Sequence, residues 1–98
     1  MRVTEIYFTS KYRKNDPLEL AQVAIVYDTV FQIRNCALYY FPEEKSYHLR
    51  FPERVDKIGK HYNLLHPVDQ NLYYDTLEAV VKEWKRWQAD EVLRLRLA

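Results

Sequence analysis

FPERVDKIGKHYNLLHPVD, residues 51–69, is the stretch on which the fold turns. Upstream of it the apolar residues alternate, the period of a strand. Downstream they recur every three or four residues, the period of a helix. The segment holds the only glycine, Gly59, two of the three histidines, His61 and His66, and Arg54, Lys57 and Lys60 at three-residue spacing.

Working outward toward the N-terminus, four strands are expected. RVTEIYFTSKY, residues 2–12, places Thr4, Ile6 and Phe8 on one face and Val3, Glu5 and Tyr7 on the other. The cluster RKNDP, residues 13–17, breaks it. LELAQVAIVYD follows, with apolar residues on both faces, so both faces are expected to be partly buried. Asp28-Thr29 reads as a short turn. FQIRNCALYYF, residues 31–41, puts Phe31, Ile33, Ala37, Tyr39 and Phe41 on one side. Gln32, Arg34, Cys36, Leu38 and Tyr40 fall on the other. PEEKS is a hairpin loop, and SYHLRF, residues 46–51, turns Tyr47, Leu49 and Phe51 one way.

Toward the C-terminus, Asp69 is a good N-cap. Tyr73, Leu77, Val80, Trp84 and Trp87 form one amphipathic stripe. Asp75 and Glu78 precede Lys82, Lys85 and Arg86, an order that suits the helix dipole. The ending VLRLRLA reads first as continued helix, with a short alternating strand as the alternative. Strands followed by one long helix define an α+β class: a four-stranded antiparallel sheet with a helix on one face, in a single domain. Residues 52–68 read as a plain connection.

Composition narrows the function. The 98 residues carry 15 Lys+Arg against 14 Asp+Glu, a net charge of +1. That excludes a binder driven by bulk positive charge, though not one with a local patch. Nine tyrosines, four phenylalanines and two tryptophans are many rings for one small core. Four strands also leave sheet edges that need cover. Both features point to a homodimer. Cys36 is the only cysteine, so no internal disulfide forms. No signal peptide or membrane span is read, and a soluble, cytoplasmic protein is expected.

The chemistry-bearing residues are sparse. His48, His61, His66 and Cys36 show no paired zinc-ligand spacing, and His66 before Pro67 reads as a turn-fixing residue. Ser10 and Ser46 lie in no nucleophile motif, and one glycine cannot build a phosphate loop. No catalytic residue, metal or cofactor is therefore assigned. Basic clusters remain: Lys11, Arg13 and Lys14; Arg54, Lys57 and Lys60; Lys82, Lys85 and Arg86; Arg94 and Arg96. Of these, Arg54, Lys57, Lys60, Lys82, Lys85 and Arg86 are the candidate phosphate contacts. In the first of those two groups, Glu53, Asp56 and Asp69 offset the charge. Tyr39, Tyr40 and Tyr47, on adjacent strands beside basic residues, are of a type that can stack bases, but under a helix carrying two tryptophans they read first as core.

Four pieces of the chain resemble the stage V sporulation protein G (SpoVG) family of small bacterial proteins. They are VTEIYF at 3–8, AIVYDTVFQI at 24–33, Phe51-Pro52, and HPVD at 66–69. The spacing from Pro52 to His66 and the helix that follows also resemble the family, over roughly residues 2–88. After the proline the family has a serine and a basic pair, where this chain reads Glu53, Arg54, Val55. The resemblance implies a dimerising α+β domain that binds DNA or RNA in gene regulation. The alternative is a protein-interaction module of the same fold that has lost nucleic-acid binding.

Overall fold

The structure is a computed structural model and describes residues 1–10, 18–63 and 67–97. Among the described residues six strands precede one helix: β1 (Val3–Ser10), β2 (Glu19–Tyr27), β3 (Phe31–Phe41), β4 (Ser46–Arg50), β5 (Glu53–Val55), β6 (His61–Asn63) and α1 (Gln70–Leu97). The first four form an antiparallel sheet in the order β1-β2-β3-β4; β5 and β6 pair only with each other. The α+β arrangement expected from the change of period is therefore present. The connection is not plain, because it contains a two-stranded ribbon.

The turns explain the order of the strands. Asp28 and Thr29 both adopt left-handed φ, 53° and 55°. Positive φ at both central residues matches the twist of a tight hairpin. A β-branched Thr is strained there. The strain is offset by local bonds: the Thr29 N–H donates to Thr4 Oγ1 at 2.9 Å, and the Arg2 N–H donates to Asp28 Oδ1 at 2.9 Å. The start of β1 thus clamps the β2–β3 turn. Lys45, at φ 54°, closes the turn between β3 and β4, with its N–H on the Pro42 carbonyl at 3.3 Å.

Two bulges correct the alternation read from the sequence. In β1 the register slips between Val3 and Glu5, so Val3 joins Ile6 and Phe8 against the core. Thr4, freed from the pattern, donates its hydroxyl to the Val26 carbonyl at 3.2 Å. In β3 the pairing jumps from Ile33↔Ile25 to Cys36↔Val23. Asn35 sits within that jump at φ 64°, a conformation that Asn tolerates better than most side chains. The extra residue reverses the strand's faces. Ile33 and then Cys36 and Leu38 point into the core. Ala37, Tyr39 and Phe41, expected beside Ile33, go to the other side.

The helix supplies the second layer. Asp69 caps it, accepting from the Asn71 N–H at 2.8 Å, so the expected N-cap is in place. The first turn carries no acid, and Asp75 and Glu78 lie beyond reach of most of the dipole. The expected stripe meets the sheet: Val80 and Trp84 are buried with Val23, Ile25, Tyr27, Leu38, Leu49 and Phe51, and Tyr73, Leu77 and Trp87 pack around them. Trp84 meets Phe8 edge-on at 5.7 Å and Trp87 in a stack at 5.3 Å. Each fully buried large side chain contributes about 1.5–3 kcal/mol. VLRLRLA continues the helix to Leu97.

Two buried hydroxyls fix the helix on the sheet. The Thr76 hydroxyl donates to the Leu72 carbonyl at 2.7 Å, so Tyr27 donates to Thr76 Oγ1 at 2.8 Å. The Tyr73 hydroxyl accepts from the Leu49 N–H at 3.1 Å and donates to the Leu49 carbonyl at 3.2 Å. Leu49 lies on the edge strand β4, so one phenol closes both outward backbone groups of that residue. Opposite the helix, Ala24, Val26, Ala37 and Tyr39 are also buried, as the two-sided apolar pattern of β2 predicts.

Candidate nucleic-acid interface

The opening stretch builds its own structure. Glu53, Arg54 and Val55 pair with Asn63, Tyr62 and His61. Between them Asp56 runs the turn. Its carboxylate accepts from the N–H groups of Ile58 and Lys60 at 3.0 and 2.9 Å. The Asp56 N–H meets the Lys60 carbonyl at 3.0 Å, and the Gly59 N–H meets the Asp56 carbonyl at 3.1 Å. Gly59 has φ 85°, the left-handed position where glycine carries no steric cost. The chain's single glycine thus stands where the turn requires it. The sequence signal was Asp-x-x-Gly flanked by two three-residue segments, a five-residue hairpin turn.

This geometry changes the charge count. Asp56 is oriented by two backbone N–H groups. Glu53 is paired with Arg50 at 3.2 Å. Lys57 and Lys60 lie exposed at the tip, with Ile58 between them 87% exposed. The tip therefore presents two exposed lysines, and the Asp56 carboxylate faces the turn's own backbone between them. The backbone of Arg54 lies in β5; its side chain lies outside the described residues, as do those of His61, Arg94 and Arg96, and all of Lys11, Arg13, Lys14 and His66.

The helix bases do not gather into one patch. Lys82 lines a groove with Val3, Ile6, Ala79 and Glu83 on the β1 side. Lys85 reaches the opposite edge, its Nζ 5.7 Å from the centre of the Tyr47 ring on β4. Arg86 is exposed and sits 3.7 Å from Glu83. Pairs this exposed contribute little to stability.

The three tyrosines also separate. Tyr40 and Tyr47 lie together on the helix side, 4.8 Å apart. Tyr39 lies on the other face, under the Arg50 guanidinium at 4.6 Å and stacked with Phe41 at 6.1 Å. Phe41 in turn meets the His48 ring edge-on at 4.7 Å. A cleft of about 400 Å³ opens over these groups. Phe41, His48 and Arg50 were not among the residues read as functional; the β3–β4 pairing brings them to one surface, and the bulge at Asn35 turns that surface away from the core.

His48 has two polar neighbours. Its Nε2 lies 3.1 Å from Glu44 Oε2 and 3.0 Å from Ser46 Oγ. Both approach the same nitrogen, so the imidazole cannot take a proton from the serine while the carboxylate holds its other side. The cluster orients the ring. Cys36 is buried, and burial pushes its thiol up to about 12, so it stays a neutral apolar group at ordinary pH. Among the described residues no three His, Cys, Asp or Glu side chains converge on one point. Among them, too, no helix is long and apolar enough to cross a membrane.

No protein-family model matches the chain, and no curated protein matches it.

Proposed function

We propose that this chain is a nucleic-acid-binding regulatory protein that acts as a homodimer in the cytoplasm, with the β5–β6 ribbon as its main phosphate contact. The observation that carries the reading is the ribbon tip, where Lys57 and Lys60 stand exposed on one rigid five-residue turn and Glu53 is paired with Arg50 on β4. A two-stranded ribbon is of a size to enter the major groove of a duplex, and lysines at its tip can follow a phosphate backbone. Two such ribbons in a dimer act together and raise the effective concentration of each. Arg54 adds a third base on the ribbon. Lys82, Lys85 and Arg86, split between two sides of the helix, are auxiliary contacts. The resemblance to the SpoVG family supports the same reading.

The test is a titration of labelled single- and double-stranded DNA and RNA at two salt concentrations. Each lost phosphate contact lowers the salt slope by about 1. Arg54→Glu with Lys57→Glu is expected to abolish binding; binding that survives this pair, or none at low salt in the parent, rejects the reading.

A different observation favours the alternative, a protein-interaction module. Met1, Tyr27, Phe31, Ile33, Pro67 and Leu72 line an apolar groove of about 340 Å³, with Val30 and Val68 exposed nearby in the chain. Under that reading, partners persist in a nuclease-treated pull-down. Under the first, they vanish.

A further inference from the structure

We infer that the cleft at the β4 edge, floored by side chains of the sheet face away from α1 and walled by Tyr73 of α1, is a stacking site for an unpaired nucleobase. The inference rests on the nucleic-acid reading and adds to it a second, sequence-distant contact of different chemistry.

Three observations carry it. First, the surface is a built platform, in which Phe41, His48 and Arg50 are accessible and the buried Tyr39 ring supports Arg50 from below. Tyr39, Phe41 and His48 are in ring contact along β3 and β4, and the Arg50 guanidinium lies over Tyr39 at 4.6 Å. Aromatic rings and guanidinium planes are the groups on which splayed-out bases stack. Second, the platform is held in place. Arg50 is anchored by Glu53 at 3.2 Å, and His48 by Glu44 and Ser46 at 3.1 and 3.0 Å. Little side-chain freedom remains to be lost on binding. Third, there is room. Leu18 and Tyr73 wall a cleft of about 400 Å³ over the platform, within the size range of small-ligand sites. The Arg50 and His48 side chains remain about half exposed, at 47% and 46%.

The chemistry selects an aromatic heterocycle. An aliphatic ligand makes no use of the guanidinium plane. A bare phosphate gains nothing from Phe41 and Tyr39, and meets Glu44 and Glu53 beside His48 and Arg50. A neutral flat base with polar edges satisfies both parts. Arg50 also joins the two candidate surfaces, since the carboxylate that anchors it begins the β5–β6 ribbon. A strand whose phosphates lie along the ribbon can place a base here.

The experiment uses the whole chain and two probes. Adenosine carries no phosphate and reports the cleft alone; a single-stranded oligonucleotide, and its abasic counterpart of equal length, report the combined site. Ring signals of Phe41 and His48 are expected to shift on titration with millimolar adenosine, and equally in the Lys57→Glu, Lys60→Glu variant. Phe41→Leu keeps an apolar side chain but removes the ring. It is expected to weaken oligonucleotide binding about tenfold and leave abasic binding unchanged. Arg50→Gln, at the rim, is expected to act in the same direction without touching the core. Equal loss of normal and abasic binding in these variants, or unshifted ring signals with adenosine, overturns the stacking site. Loss of oligonucleotide binding in the lysine variant alone bears only on the ribbon.

Discussion

The helix-covered sheet and the β5–β6 ribbon are held by different forces. The sheet buries Val23, Ile25, Tyr27, Leu38, Val80 and Trp84 between two layers. The ribbon has three residues on each strand and is ordered by its turn, through Asp56 and Gly59. An isolated two-stranded hairpin is marginal in water. One region therefore resists change through its packing, and the other presents side chains at little cost to the whole. Substitutions in the two regions should differ by an order of magnitude in stability and in the opposite sense for binding.

The largest effect is expected at the layer interface. Trp84→Ala removes the ring that touches both Phe8 and Trp87. A loss of about 3–5 kcal/mol is expected in urea unfolding. That is a large share of a small domain's stability.

Alkaline pH should come next, and it acts on the same core. The Cys36 thiol is raised to about 12 in the folded state from an ordinary 9.0, by burial. The neutral form is favoured on folding, so this stability is complete below pH 9 and is lost as pH rises toward 12. The slope is about 1.4 kcal/mol per pH unit. Tyr27 is raised mainly by burial, against a smaller lowering from its bond to Thr76, and acts in the same direction. Urea midpoints measured from pH 8 to 11 check this; Cys36→Val should flatten the decline. Native Cys36 should also resist thiol reagents at pH 8.

Tyr73→Phe tests the clamp on the β4 edge. It leaves the Leu49 N–H and carbonyl without their phenol. A cost of about 1–3 kcal/mol is expected, with faster exchange of the Leu49 amide. A stability unchanged from the parent would mean that water replaces the phenol without penalty.

The smallest effects belong to the ribbon. A Cβ on Gly59 meets nothing within 4 Å, so Gly59→Ala costs only the left-handed backbone, about 1 kcal/mol. Hydrogen exchange should report it in β5 and β6 and nowhere in β2 or β3. Lys57→Glu with Lys60→Glu should move global stability by less than about 0.5 kcal/mol, while nucleic-acid affinity falls. A global loss as large as that of Trp84→Ala would erase the distinction between the two regions.

Much of the sheet and helix was legible in the residues. The change of period at residues 51–69 located the boundary, and Asp69 announced the helix that follows. The ribbon was obscured because its strands are three residues long, too short for alternation to stand out from a charged loop.

Sequence alone determined the α+β class, the four long strands, the apolar stripe of the helix and the lack of any internal disulfide. Each follows from local period or from residue type. Tertiary structure alone decided which face each β3 ring occupies, since one left-handed residue, Asn35, shifts the register and reverses every side chain beyond it. It also decided which charges remain accessible. Asp56 turns its carboxylate onto the backbone of the lysine-bearing turn, and Glu53 reaches back to Arg50 on β4, partners that no count of charges along the chain reveals. Charge is a property of composition; the field at a surface depends on where the partners lie.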